Sequence, residues 1–200
     1  MKKLILLFTL IATTSLAHST EYVMNHCPVT PVREEPAHAA EQATQLLFGE
    51  VCEVVDRHSS WTKIRSTMDG QVGWVVSKML TPVSEEAIRL LGERREANGE
   101  GVVATPMAVV TDIETGEKLM LTIGTRLPNY TNGTFEVLGK QYQIDSTCVY
   151  TLENQGHEAI ILPNGEKQLV RGEDIVRVAK SLMNVSYLWG GKNMMGYDCS

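Results

Sequence analysis

Clustered positive charge is what this chain most plainly lacks. Its 200 residues carry 18 Lys and Arg against 24 Asp and Glu, and nowhere do the cations gather into the patch that a nucleic-acid surface needs. Nucleic acid is therefore not an expected partner. Cysteine is sparse: Cys27, Cys52, Cys148 and Cys199 show no CxxC spacing and no Cys/His cluster, which argues against a structural zinc site. His18, His26, His38, His58 and His157 are scattered along the chain, so no metal or other cofactor is implied. Long apolar runs are missing too. Residues 4–12, which follow Lys2-Lys3, form such a run but are too short to span a bilayer. With Ser15-Leu16-Ala17 behind it, the run reads as a secretory signal (1–17) removed after about Ala17. No cysteine sits at that cleavage site, so a lipid anchor is not expected. The expectation is an exported protein of the periplasm or cell envelope, with no integral membrane segment once the signal is gone. Its removal takes two lysines and no acid, leaving 16 cations against 24 anions and a net charge of −8 with His neutral. Four cysteines in an oxidising compartment allow three full pairings, so two disulfides stand as the alternative to free thiols.

What is present is mostly β pattern. Short apolar stretches at 29–36, 46–56, 61–66 and 72–75 are separated by His58-Ser59-Ser60 and Asp69-Gly70, the spacing of a small all-β barrel. The Ala-rich piece 38–45 reads as a helical turn or a long loop. Val32-Arg33-x-x-Pro36, Leu46-x-x-Gly49-Glu50, Trp61 and Gly73-Trp74-Val75 together resemble a bacterial SH3-like domain over 25–82. In a barrel this small a Trp is usually core. Trp74 is assigned to the core, and Trp61 is left open as a groove residue. Thr81 to Glu86 has the signals of a helix start, giving a helical connector over 83–99. The β pattern resumes over 102–153, with Asn132-Gly133 as a hairpin turn, and reads as a second, more divergent SH3-like barrel. Residues 154–170, with Pro163-Asn164-Gly165, form a polar link and hairpin-like turn. Ile175, Val176, Ala179, Leu182 and Met183 then share one face of a helix.

That helix leads into Tyr187-Leu188-Trp189-Gly190-Gly191-Lys192-Asn193-Met194-Met195-Gly196-Tyr197-Asp198-Cys199-Ser200. Its glycines permit positive φ and close backbone approach, and Asp198 or Ser200 suits the cap of a helix opening here. A cysteine in such a first turn faces unpaired N–H groups and the positive end of the macrodipole, both of which favour thiolate. Tyr187-x-Trp189-Gly190-Gly191 followed by Gly196-x-Asp198-Cys199-Ser200 resembles the catalytic-cysteine motif of the NlpC-type cell-wall peptidases, which are papain-like enzymes.

The resemblance implies a fold that is mainly β with some α. Two small SH3-like barrels would precede the first helix and cysteine motif of an incomplete α+β papain-like domain (170–200). It implies hydrolysis of γ-D-glutamyl-diamino-acid bonds in peptidoglycan stem peptides. Cys199 would be the nucleophile, and Tyr187 would lie near it to support the oxyanion. Asp198 and Ser200 would hold the free amino end of an L-Ala-γ-D-Glu fragment. In two-barrel relatives, acidic loop residues of the first barrel close one end of the cleft; Glu34, Glu35 and Glu41 are the carboxylates nearby, and Glu35 is taken forward. The family's catalytic His has yet to come at Ser200, so these 200 residues alone are expected to be inactive. Two other readings stay open: a tandem SH3-like peptidoglycan-binding module without catalysis, and an interaction protein with structural cysteines. Nothing in the sequence speaks to oligomeric state.

Overall fold

Alternation of inward apolar and outward polar residues builds the first barrel. The computed structural model describes residues 20–98, 100–152, 159–161, 167–169 and 171–199; the expected signal segment and Ser200 lie outside them. Strands β1 (Tyr22–Asn25), β2 (Val29–Arg33), β3 (Gln42–Leu47), β4 (Val51–His58), β5 (Trp61–Ser66), β6 (Val72–Val76) and β7 (Leu80–Val83) form one sheet in the order β3-β2-β6-β5-β4-β1-β7. Their inward residues Val23, Val32, Leu46, Cys52, Ile64, Val75 and Leu80 make its core. Gly73 is needed there, because a Cβ would lie 2.5 Å from Val32 Cγ1. Asn25, fully buried, ties β1 to the neighbouring turn and β3. Its Nδ2 donates to the carbonyls of Cys27, Leu46 and Leu47, and its Oδ1 accepts from Cys27 N and Thr30 Oγ1.

The loop alternative for the Ala-rich piece holds up to Glu41, and a strand takes over from Gln42. The base of this loop over 34–41 is closed by Glu34 N donating to Glu41 O and by Arg33 donating to Ala40 O. Trp74 departs from the core place assigned to it, and the open position of Trp61 is decided. Trp61 is buried under that loop, its ring 5.0 Å from His38. Trp74 is half-buried on the outer face, with Lys63 Nζ 5.7 Å from its ring centroid and the His58 ring beside it. Both indoles alternate with inward residues and so point outward; only Trp61 has a loop folded over it.

Helix α1 (Glu85–Asn98) is capped by Ser84, whose Oγ accepts from Ala87 N, and it packs Ala87, Ile88 and Leu91 against the core. The second barrel follows: β8 (Glu100–Val103), β9 (Met107–Asp112), β10 (Lys118–Thr122), β11 (Arg126–Leu127), β12 (Thr134–Val137), β13 (Lys140–Ile144) and β14 (Val149–Leu152). The turn at Asn132-Gly133 has positive φ at both residues, as its sequence predicts, and so does Leu138-Gly139. The polar link instead contains β15 (Ala159–Ile161) and β16 (Lys167–Leu169), which extend the sheet β11-β8-β14-β15-β16. Its remaining residues, with the Pro163-Asn164-Gly165 turn, lie outside the described residues.

The barrels share a core. Met24, Phe48 and Val83 of the first join Val110, Leu121, Leu127, Phe135 and Tyr142 of the second in one buried cluster. Phe48 meets Tyr142 edge-on at 5.6 Å, and Phe135 stacks on Tyr142 at 5.2 Å. The molecule is therefore mainly β, with two barrels followed by α2 (Gly172–Ser181) and a terminal loop containing β17 (Lys192–Asn193) and β18 (Gly196–Tyr197). Helix α2 begins with Asp174 accepting from Arg171 N, and its apolar face is uncovered: Ile175, Val176 and Met183 are all exposed. No helix among the described residues is long and apolar enough to cross a membrane.

Candidate active site

The cysteine loop is held against the outer face of β3. Gly190 takes φ +68 and lies so close to the strand that a Cβ would come 3.0 Å from the Gln42 and Ala43 backbone. Gly191 has no room either, since its Cβ would lie 2.3 Å from Gly196 O. These two positions explain the Gly-Gly pair. Gln42 Nε2 donates to Trp189 O at 2.8 Å, and Gln45 Oε1 accepts from both Lys192 N and Asn193 Nδ2. Lys192 Nζ reaches Asp69 Oδ2 at 3.0 Å. The Trp189 side chain is exposed; its backbone makes the contact.

The loop then doubles back. Leu188 N donates to Tyr197 O, Tyr197 N to Ser186 O and Asp198 N to Gly191 O, which places Tyr187 beside Tyr197 in an isolated bridge. Burial raises the Tyr197 hydroxyl above the ordinary phenol range, with the Thr122 hydroxyl of the second barrel acting in the other direction. Among the described residues the Tyr197 hydroxyl has no hydrogen bond of good geometry. The loop thus lies where the two barrels meet.

Cys199 ends this path as an exposed free thiol. Asp198 and Cys199 carry no assigned helix or strand, and Asp198 Oδ2 accepts from Gly190 N at 2.8 Å, closing the loop. Tyr187 is exposed, and its hydroxyl is shifted upward by partial desolvation and then by the negative charges of Cys199 and Asp198. Tyr187, Asp198 and Cys199 therefore share one neighbourhood. Glu35 is exposed on the 34–41 loop of the first barrel, and among the described residues no hydrogen bond or ion pair links its carboxylate to the cysteine loop. Cys27, Cys52 and Cys148 are also free thiols, so the disulfide alternative is not realised. Burial pushes Cys52 up to about 12, which leaves it unreactive. Among the described histidines, His26 bonds Thr81, His38 packs on Trp61 and His58 on Trp74.

Charge reinforces the docking. Burial alone raises Asp69, but hydrogen bonds from Lys192, the Gln71 amide and Ser66 outweigh it and hold the carboxyl low. Glu50 goes the other way, raised by burial, with Lys192 recovering only part of the loss. Gln42, Gln45, Asp69 and Asn193 were not singled out by the sequence. A glutamine in a β-strand carries no signal until the partner of its outer face is known.

The fold is that of NlpC/P60 proteins over the part matched. A Bacillus cereus member aligns with a TM-score of 0.69 and 17% identity, covering 89% of this chain and 68% of that one. An NlpC/P60 endopeptidase from Photobacterium damselae subsp. piscicida aligns with a TM-score of 0.52 and 14% identity, covering 84% and 38%. Residues 32–80 match the bacterial dipeptidyl-peptidase SH3 domain. In sequence the chain is similar to the γ-D-glutamyl-L-lysine dipeptidyl-peptidase of Bacillus cereus, 24% identical over 190 residues, covering 82% of this chain and 49% of the relative. The chain spans about half the length of that curated relative. It thus contains a bacterial SH3 domain, is homologous to a dipeptidyl-peptidase and has structural neighbours in the NlpC/P60 family.

Proposed function

We propose that this chain supplies the nucleophile and the recognition barrels of an exported cysteine peptidase that hydrolyses γ-D-glutamyl-diamino-acid bonds of peptidoglycan stem peptides in the cell envelope. The observation that carries this reading is the exposed, unbridged Cys199 thiol on a loop fixed to the first barrel, two residues beyond the Tyr197 that pairs with Tyr187. The Cys199 sulfur would attack the γ-carbonyl carbon, forming a thioester as the amine of the diamino acid leaves with a proton, and water would then release the γ-glutamyl product. Tyr187 would donate to the oxyanion. Asp198 and Ser200, and Glu35 from the barrel loop, would receive the substrate ammonium. Among the described histidines, His26, His38 and His58 each have another partner, so none of the three is proposed as the base for Cys199. Without a positioned base the proton transfer loses roughly 10² to 10⁴-fold.

Binding separates this from other readings. An NMR titration with L-Ala-γ-D-Glu should move Tyr187, Asp198 and Cys199 resonances, and the N-acetylated dipeptide should bind more weakly. E35Q should narrow that difference. Equal binding of both dipeptides would remove Asp198 and Glu35 from substrate recognition. The second reading, a tandem wall-binding module, is favoured by the half-buried Trp74 between Lys63 and His58 on the open face of the first barrel. Retention on purified peptidoglycan that is lost in Trp74→Ala but unaffected by L-Ala-γ-D-Glu would support it instead.

A further inference from the structure

Gln45 holds nothing in its own barrel. It lies on β3 opposite Pro31 of β2, on the face turned away from the core, yet it is buried, 6% exposed, because the cysteine loop covers it. Its Oε1 accepts from Lys192 N at 2.9 Å and Asn193 Nδ2 at 2.7 Å. Among the described residues, both partners of its side chain belong to the loop. Asn193, itself buried, turns its Oδ1 back to Met195 N at 2.7 Å and so shapes the β17–β18 turn. That hairpin carries the constraint onward: Lys192 pairs with Tyr197 and Asn193 with Gly196, and two residues further is the thiol.

We propose that Gln45 is a positioning residue for Cys199: its doubly accepting side-chain oxygen sets where the cysteine loop sits on the first barrel, and through β17 and β18 it fixes the thiol beside Tyr187. The catalytic meaning of this rests on Cys199 being the nucleophile; the geometry itself does not. The first barrel is then part of the apparatus that aims the thiol, beyond any contact it makes with substrate. Small displacements of an attacking atom cost large factors in rate. In a form of the protein competent for hydrolysis, loss of this acceptor should therefore lower kcat by roughly 10- to 100-fold with KM little changed.

The test uses the intact 200-residue chain and no turnover, so failure of the peptidase reading would leave its outcome standing. With ¹³C-labelled tyrosine, and Tyr187→Phe to assign the signal, the Tyr187 phenol should titrate above an ordinary tyrosine in the wild type. Gln45→Met keeps the side chain's bulk but loses the acceptor. It should return the Tyr187 titration toward the ordinary range and speed exchange of the Lys192 amide roughly tenfold, while the Tyr142 titration in the second barrel stays put. Gln45→Glu keeps an oxygen able to accept both bonds and should behave as wild type. Asn193→Ala removes one of the bonds from the loop side without touching the barrel, and should shift Tyr187 in the same direction as Gln45→Met. An unchanged Tyr187 titration in both Gln45→Met and Asn193→Ala would overturn the proposal, as would a Gln45→Glu that behaves like Gln45→Met.

Discussion

A fully buried asparagine at position 25 takes part in more side-chain hydrogen bonds than any sequence pattern advertises. Removing it leaves the Leu46 and Leu47 carbonyls and the Thr30 hydroxyl short of a partner inside the first barrel. Leaving buried polar groups unpaired costs about 1–3 kcal/mol each. Asn25→Ala should therefore lower stability by at least about 2 kcal/mol in urea denaturation; a loss below the error of the measurement would contradict this. Leu138 is the opposite case. It takes φ +52 in the β12–β13 turn with an exposed side chain, a backbone conformation that costs an ordinary L-residue about 1–2 kcal/mol. Leu138→Asn should raise stability by up to about 1 kcal/mol, read as a higher melting temperature without loss of barrel structure.

At the scale of elements, the terminal loop and α2 differ in what covers them. The loop is pinned by Gln42, Gln45 and Asp69, whereas the apolar face of α2 is bare. The sequence placed that apolar face correctly, because a 3.6-residue period shows in any helix whether or not its partner is present. It could not show that Asp198 closes the loop onto Gly190 N, since that amide and the amides of a first helical turn offer a carboxylate the same donor. Two carboxylates at the docking face respond oppositely to pH. The Asp69 carboxyl lies lower folded than unfolded, so its stabilisation is present above the unfolded value and fades as pH falls through the folded one. Glu50 lies higher folded than unfolded, so its ionisation opposes folding at neutral pH and stops doing so in acid. Asp69→Asn should thus reduce stability and speed Lys192 amide exchange at pH 7. Glu50→Gln should increase stability at pH 7, and both differences should shrink in acid. The same sign for the two variants at pH 7 would contradict the account.

Across the whole molecule, the two barrels are joined by burial rather than by a linker alone. Phe48 is 2% exposed and sits against Tyr142 of the other barrel. Phe48→Ala should cost about 3–5 kcal/mol and destabilise both barrels together in calorimetry. Two separate transitions, only one of them shifted, would show that the shared core does not couple them. Strand alternation and turn residues made the two barrels legible, because each barrel's pattern is local. Their common core was not legible: Met24, Phe48 and Val83 look like residues of a single barrel until the second is packed on them. Trp74 was misassigned to the core for a related reason, since the loop that hides Trp61 and leaves Trp74 open is set by tertiary contact with His38.

The central claim is that Cys199 is a nucleophile facing a site for γ-glutamyl peptides. It is tested most directly by treating the intact protein with an L-Ala-γ-D-Glu chloromethyl ketone and mapping the adduct by peptide mass analysis. The account predicts covalent attachment at Cys199, slowed by excess L-Ala-γ-D-Glu, with buried Cys52 unmodified. Attachment at Cys27 or Cys148 as fast as at Cys199, or labelling of Cys199 that the free dipeptide does not slow, would contradict it.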